Sequence, residues 1–128
     1  MVNFLDLLGR ICIASIFLFS GFEKIFDMNG TIQWMSTFGV SKIFLAPTIV
    51  LEIVLPILII IGYKTKIASS LLSLFCLTTA FIFHSDFSDQ LQIIDFLKNI
   101  SLTGGLLFLT INGAKNWSLD KEKKYVRL

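Results

Sequence analysis

Apolar residues gather in four long blocks, roughly Phe4–Phe22, Ile43–Gly62, Ile67–Phe83 and Phe96–Asn112, and most of the charge falls between them. Each block is near the ~20 residues that a helix rising ~1.5 Å per residue needs to cross ~30 Å of hydrocarbon. Within lipid the backbone has to satisfy its own hydrogen bonds, so even the β-branched run Ile57–Ile61 reads as helix. The last block is the least uniform, because Asp95 and Lys98 stand at its start, three residues apart and able to pair on one face. The expected architecture is all-α. A single membrane domain over residues 1–128 forms a polytopic four-transmembrane-helix bundle, with a basic tail at 113–128.

The connections refine this layout. Between the first two blocks, Asp27–Lys42 opens on a Met-Asn-Gly turn and places Trp34 and Phe38 four apart on one face. That spacing predicts a short helix lying in the interface, with Thr31 as a candidate N-cap. Tyr63–Lys66 is so short that the second and third spans must be antiparallel neighbours. Tyr63 and Trp117 suit an aromatic belt at the other surface.

Composition then fixes the class. The chain is 55% hydrophobic and 16% charged, with a mean hydropathy of +0.80, which is membrane rather than soluble composition. Thirteen phenylalanines stand against two tyrosines, a choice of aromatic that needs no hydroxyl partner in hydrocarbon. A net charge of +2 with dispersed basic residues excludes a nucleic-acid surface. The first block lacks a basic leader and an A-x-A-like cleavage site, so it reads as an uncleaved span. With four spans, Lys64, Lys66, Lys115, Lys121, Lys123, Lys124 and Arg127 share one side, which puts both termini in the cytoplasm across a cell (inner) membrane. The cluster Lys121–Arg127 reads as a solvated tail beside the lipid head groups. Cys12 and Cys76 lie far apart inside apolar runs and read as packing residues without redox chemistry of their own. Gly104-Gly105 reads as a close-packing pair.

Ionisable residues inside or at the edge of spans carry the functional information, because each costs roughly 2.5–3.5 kcal/mol in mid-membrane unless it finds a partner. These are Arg10, Lys24, Glu52, His84 and Lys98. At 100° per residue, Phe17, Gly21 and Lys24 fall within about 40° of Arg10, so this stripe is expected to face inward. Glu52 has no charged neighbour three or four residues away, and an Arg10–Glu52 pair between helices is the leading expected contact. Pro56 has no N–H to bond the carbonyl of Glu52, which would leave that oxygen free beside the carboxylate. His84 ends the third span on the side of Lys24 and Lys98, and imidazole is the side chain suited to moving protons near neutrality. A purely structural alternative pairs Asp6 with Arg10 at i,i+4, lets Lys24 and Lys98 reach to the interface, and leaves Glu52 as a cross-link between helices. No metal-ligand pattern is present.

Taken in order, Arg10 with Phe17-Leu18-Phe19-Ser20-Gly21-Phe22-Glu23-Lys24, then Leu51-Glu52, Leu58–Gly62 with Tyr63-Lys64-Thr65, Phe83-His84, Phe96-Leu97-Lys98-Asn99, Gly104-Gly105-Leu106-Leu107 and Trp117-Ser118-Leu119-Asp120 resemble the DoxX family of small bacterial four-helix membrane proteins. The resemblance covers nearly the whole chain. It implies a subunit or partner of a membrane oxidoreductase system, such as thiosulfate:quinone oxidoreductase or a complex handling thiols and superoxide. The expected site is a charge cluster of Arg10, Lys24, Glu52, His84, Lys98 and Asn99, with Glu52 and His84 as candidate proton carriers and a quinone as candidate ligand. No self-contained catalytic motif accompanies it. The alternatives are a small proton-coupled transporter built on Glu52 and a non-catalytic scaffold. Expected partners are the lipid bilayer and either a redox protein or a second copy of the chain.

Overall fold

In the computed structural model, which describes residues 1–120, the chain is helical throughout its ordered elements: α1 (Val2–Phe26), α2 (Met28–Thr37), a single 3-10 turn (Lys42–Phe44), α3 (Leu45–Ile61), α4 (Thr65–Phe83) and α5 (Gln90–Asn112). Four of these, counting the 3-10 turn with α3, are long and apolar enough to cross a membrane. The tail cluster Lys121–Arg127 lies outside the described residues. Among the described residues no strand is present.

The outward faces of the long helices carry many large apolar side chains, with Phe19, Val50, Leu74, Phe108 and Ile111 all exposed. In water such a surface would drive association, but in hydrocarbon it is the matched solvent. The interior is small. Phe17, Ile59, Ala68, Leu72, Cys76 and Leu106 form the core, with Ile13, Leu55 and Leu102 packed around it. Small residues at Ala68, Ser69, Ser73, Cys76 and Ala80, with Leu72 among them, give α4 a buried stripe at helical spacing, which brings it close to α5. The principal packings pair α1 with α3 and α4 with α5, and α3 with α4 joins the two pairs.

Helix boundaries follow local chemistry. Asp27 caps α2 by accepting from the Gly30 N–H at 3.0 Å, so the expected N-cap Thr31 lies inside the helix, where its hydroxyl donates to the Asp27 carbonyl. Aspartate wins because its carboxylate reaches the unpaired first-turn N–H groups that a hydroxyl one turn later cannot. Gly62, at φ +69°, ends α3. The left-handed turn lets the Tyr63 N–H bond the Leu58 carbonyl at 2.9 Å, a Schellman-type close. Asp89 caps α5 through the Leu91 N–H at 3.0 Å, so α5 begins at Gln90, six residues before the expected Phe96.

Residues 113–120 fold back against the bundle end. The Asp120 carboxylate accepts from the backbone N–H groups of Lys64 (2.7 Å) and Thr65 (2.9 Å), supplying the cap that α4 lacks locally. The Leu119 and Asp120 N–H groups bond the carbonyls of Ile61 and Gly62 at 3.1 and 2.6 Å. Asp120 is thereby held below the ordinary aspartate range. Burial works against ionisation, but the hydrogen bonds from Thr65 and Lys64, with the nearby Arg10 charge, outweigh it.

Candidate functional site

The inward stripe of α1 is as its spacing requires: Arg10, Ala14, Phe17 and Gly21 are buried. Its two cations, however, do separate jobs at separate depths. Gly21 sets the register against α3. A Cβ there would stand 2.9 Å from Ile53 Cγ1 and 3.3 Å from Glu52 Cβ, so the hydrogen is what allows the two backbones to approach at this level. Arg10 lies about 16 Å away along the same helix, beside the end of α3.

The expected Arg10–Glu52 pair is therefore absent. Arg10, 1% exposed, donates from Nη1 to the carbonyls of Ile59 (3.1 Å) and Ile60 (2.6 Å) and from Nη2 to that of Trp117 (2.6 Å). Its Nε bonds Asp6 Oδ2 at 3.0 Å, as the i,i+4 alternative supposed. Asp6 also receives the Lys115 N–H at 3.1 Å. The last carbonyls of a helix have no intrahelical donor and carry its negative pole, so a planar cation with several N–H groups is better satisfied there than against one mid-span carboxylate. Arg10 pins the end of the bundle where α3 finishes and residues 113–120 dock and is not part of the cavity described next.

Glu52 sits midway along α3, buried to 4% exposure. Its partner is Lys24, whose Nζ lies 2.9 Å from Oε2 and 3.3 Å from Oε1. Ser20, one turn before Lys24, donates to Glu52 Oε1 at 3.1 Å and accepts from Lys24 Nζ at 2.6 Å. The three form a closed, electrically neutral triad. Oε2 touches the ammonium but has no aligned hydrogen-bond donor. Pro56, buried one turn further on, withholds the N–H that would bond the Glu52 carbonyl.

The triad forms the polar floor of a cavity of about 650 Å³ bounded by α1, α2, the segment leading into α3, the first half of α3, the last half of α4 and the middle of α5. Phe17, Trp34, Phe44, Phe75 and Phe83 make its walls aromatic, and Thr78, Thr79, His84 and Asn99 add polar points. The helix α2 is its roof. Trp34 stacks on Phe83 with ring centroids 4.5 Å apart and planes 19° apart, while Phe38 meets Phe83 edge-on at 5.1 Å. Trp34 and Phe38 thus share a face, as their spacing requires, but that face turns onto α4. Of the cavity-lining residues, Ile16, Trp34, Gly39, Ser41, Phe44, Thr78 and Ile82 are exposed, and because Ile16, Thr78 and Ile82 belong to the membrane-length helices α1 and α4, the cavity opens in part toward lipid.

Of the sequence-expected cluster, Lys24, Glu52, His84 and Asn99 line this cavity. His84, the C-cap of α4, bonds Gln92 Oε1 through Nδ1 at 3.1 Å. Asn99 accepts from the Cys76 thiol at 3.3 Å and donates to the Asp95 carbonyl at 3.2 Å. Lys98 points away and pairs with Asp95 at 3.3 Å on an exposed face. Among the described residues, no group of three or more His, Cys, Asp or Glu side chains is placed to hold a metal ion. Sequence reasoning passed over Ser20, although its i,i+4 spacing to Lys24 was readable, and it missed Thr78 and Thr79, a polar pair inside an apolar run.

Comparison with known proteins agrees with this architecture. The DoxX family model matches residues 5–85, and the SURF4 family model matches residues 48–126. The chain is 35% identical over 115 residues to the inner membrane protein YqjF of Escherichia coli (strain K12), covering 90% of this chain and 88% of that protein. It is also 35% identical over 122 residues to the inner membrane protein YphA of the same strain, covering 90% of this chain and 87% of that protein. A shorter match, 39% over 83 residues, relates 60% of the chain to 26% of the ER-derived vesicles protein ERV29 of Saccharomyces cerevisiae. No solved structure matches. Four membrane-length helices, the family-model match and two relatives aligned over nine-tenths of the chain lead to one conclusion: the protein is a multi-pass membrane protein belonging to the DoxX family.

Proposed function

We propose that the protein is a ligand-binding subunit or partner of a membrane oxidoreductase system, and that the cavity above Glu52 holds a small amphipathic molecule of the quinone type. The observation that carries this reading is the cavity itself. Its 650 Å³ volume is within the usual range for small-molecule sites, and an apolar, aromatic wall with a few convergent polar groups is the usual chemistry of such a site. A flat ring fits against the aromatic side chains, and its oxygens find the Asn99 amide or the Trp34 indole N–H. A lateral opening suits a ligand dissolved in the bilayer. His84 and Glu52 are the groups through which protons would move.

The protein's placement in the inner membrane is supported by the names of its two bacterial relatives. Termini on the cytoplasmic side are supported by the excess of lysine at that end of the bundle. The carrier alternative, with Glu52 exchanging protons for a cationic substrate, is disfavoured because Lys24 already neutralises the carboxylate.

The test is equilibrium binding in lipid nanodiscs. In a Trp117→Phe background Trp34 reports from the cavity wall, and decylubiquinone should quench it saturably beyond the level that bilayer partition gives. Filling the cavity with Thr79→Phe should weaken binding by at least about tenfold, the scale of one lost contact of ~1.4 kcal/mol. Quenching that never saturates and ignores Thr79→Phe would defeat the proposal.

A further inference from the structure

We infer that the cavity selects a neutral aromatic ligand whose head group bears a hydroxyl donor, a phenol or hydroquinone, over the same skeleton carrying only acceptors. This rests on the reading of the cavity as a ligand site and names the ligand chemistry of that site. A hydroxyl side chain owns one proton and two lone pairs. Four hydroxyls on the cavity wall have already committed that proton. Ser20 gives it to Glu52 Oε1 (3.1 Å), Thr31 to the Asp27 carbonyl (2.8 Å), Thr78 to the Leu74 carbonyl (2.8 Å) and Thr79 to the Cys76 carbonyl (3.0 Å). What these groups have left for a guest is lone pairs.

The floor has the same bias. Glu52 Oε2 is buried without an aligned donor. The Lys24 side chain beside it is 21% exposed on a flexible four-carbon stem, so it can yield this oxygen to a hydroxyl by a small swing. The donors on the wall are fewer. The Lys24 ammonium is directed at Ser20 and Glu52, and one Asn99 amide proton is spent on Asp95. The second Asn99 proton and the Trp34 indole N–H remain, while Ser41 and Thr48 can serve in either role. An acceptor-rich pocket leaves the lone pairs a guest covers unmet when that guest has no proton to give. A cationic amine would also supply protons, but it would enter beside Lys24, whose charge already balances Glu52. The donor must therefore be neutral.

Two redox-inert probes separate the chemistry: 4-heptylphenol, and 4-heptylanisole, in which a methyl group replaces the phenolic proton. Calorimetric titration into protein-loaded nanodiscs, with empty nanodiscs as blank, should show the phenol binding at least about tenfold more tightly. The preference should fall to within about threefold in Thr78→Val/Thr79→Val, which keeps volume and removes two acceptors, and in Glu52→Leu if that variant folds. Equal affinity of the two probes for the wild type would overturn the inference and leave the cavity reading standing. A preference undiminished in the folded valine double variant would overturn the assignment to these acceptors. Binding of neither probe, together with unsaturable decylubiquinone quenching, would remove the ligand site and this inference with it.

Discussion

Replacing Lys24 by methionine isolates the energetics of the triad. The Glu52 side chain is 5% exposed and that of Lys24 is 21% exposed, so the two halves of the pair are not equivalent. Lys24→Met leaves a carboxylate in mid-bundle with only the Ser20 hydroxyl for company, and breaking a buried pair from one side costs about 3–5 kcal/mol. Glu52→Gln instead leaves an ammonium on a long stem in the last turn of α1, where it can reach water, and about 1–2 kcal/mol is expected from the lost charge-assisted hydrogen bonds. The double variant removes both charges and should cost about 1–2 kcal/mol, less than Lys24→Met alone. The resulting coupling, about 3–5 kcal/mol, is large for neighbouring residues. Reversible unfolding of the three variants and wild type in bicelles by added denaturing detergent measures it. If the two single variants cost the same, or if the double variant equals their sum, the triad is not the closed and buried unit described.

Three further outcomes follow from the packing and electrostatics. Gly21→Ala should lower stability by about 1–3 kcal/mol in the same unfolding assay, because its Cβ meets Ile53 at 2.9 Å, whereas Gly9→Ala, with nothing within 4 Å, should be neutral or gain up to about 1 kcal/mol from helix propensity. Arg10→Met removes the cation from Asp6 and the guanidinium bonds from the carbonyls of Ile59, Ile60 and Trp117 and should cost about 3–5 kcal/mol, with Trp117 emission changing as residues 113–120 detach. Arg10→Lys should fail to restore it, since one ammonium cannot span those carbonyls. Because Asp120 is held below the ordinary aspartate range, the docking it supports is complete above its unfolded value and is lost as pH falls through the lower folded one. Trp117 emission in a Trp34→Phe background should therefore stay flat from pH 8 to the upper edge of aspartate titration and change only on stronger acidification, with Asp120→Asn altered throughout.

What the sequence revealed depended on which forces were local. Spans were readable because lipid imposes one secondary structure on any long apolar run, and the inward face of α1 was readable because helical periodicity is rigid. Partner choice was not. The Arg10–Glu52 pair suggested by two unpartnered intramembrane charges fails because the helix register is set by the Gly21 contact with α3, which the sequence pattern does not disclose. Likewise Trp34 carries a signature that suits head groups and aromatic packing alike, and only the fold shows that it roofs a cavity. Asp120 caps a helix 55 residues earlier, a long-range contact without a local pattern.

The central claim is that the cavity over the Lys24–Glu52 pair holds a lipid-soluble ligand. Photolabelling nanodisc-embedded protein with an azidoquinone and mapping the adducts by mass spectrometry tests it most directly. Adducts on Trp34 and on the Thr78–Phe83 stretch of α4, competed away by decylubiquinone and lost in Thr79→Phe, are the predicted result. Labelling spread over outward residues such as Phe19, Leu74 and Phe108, unaffected by competitor, would contradict it.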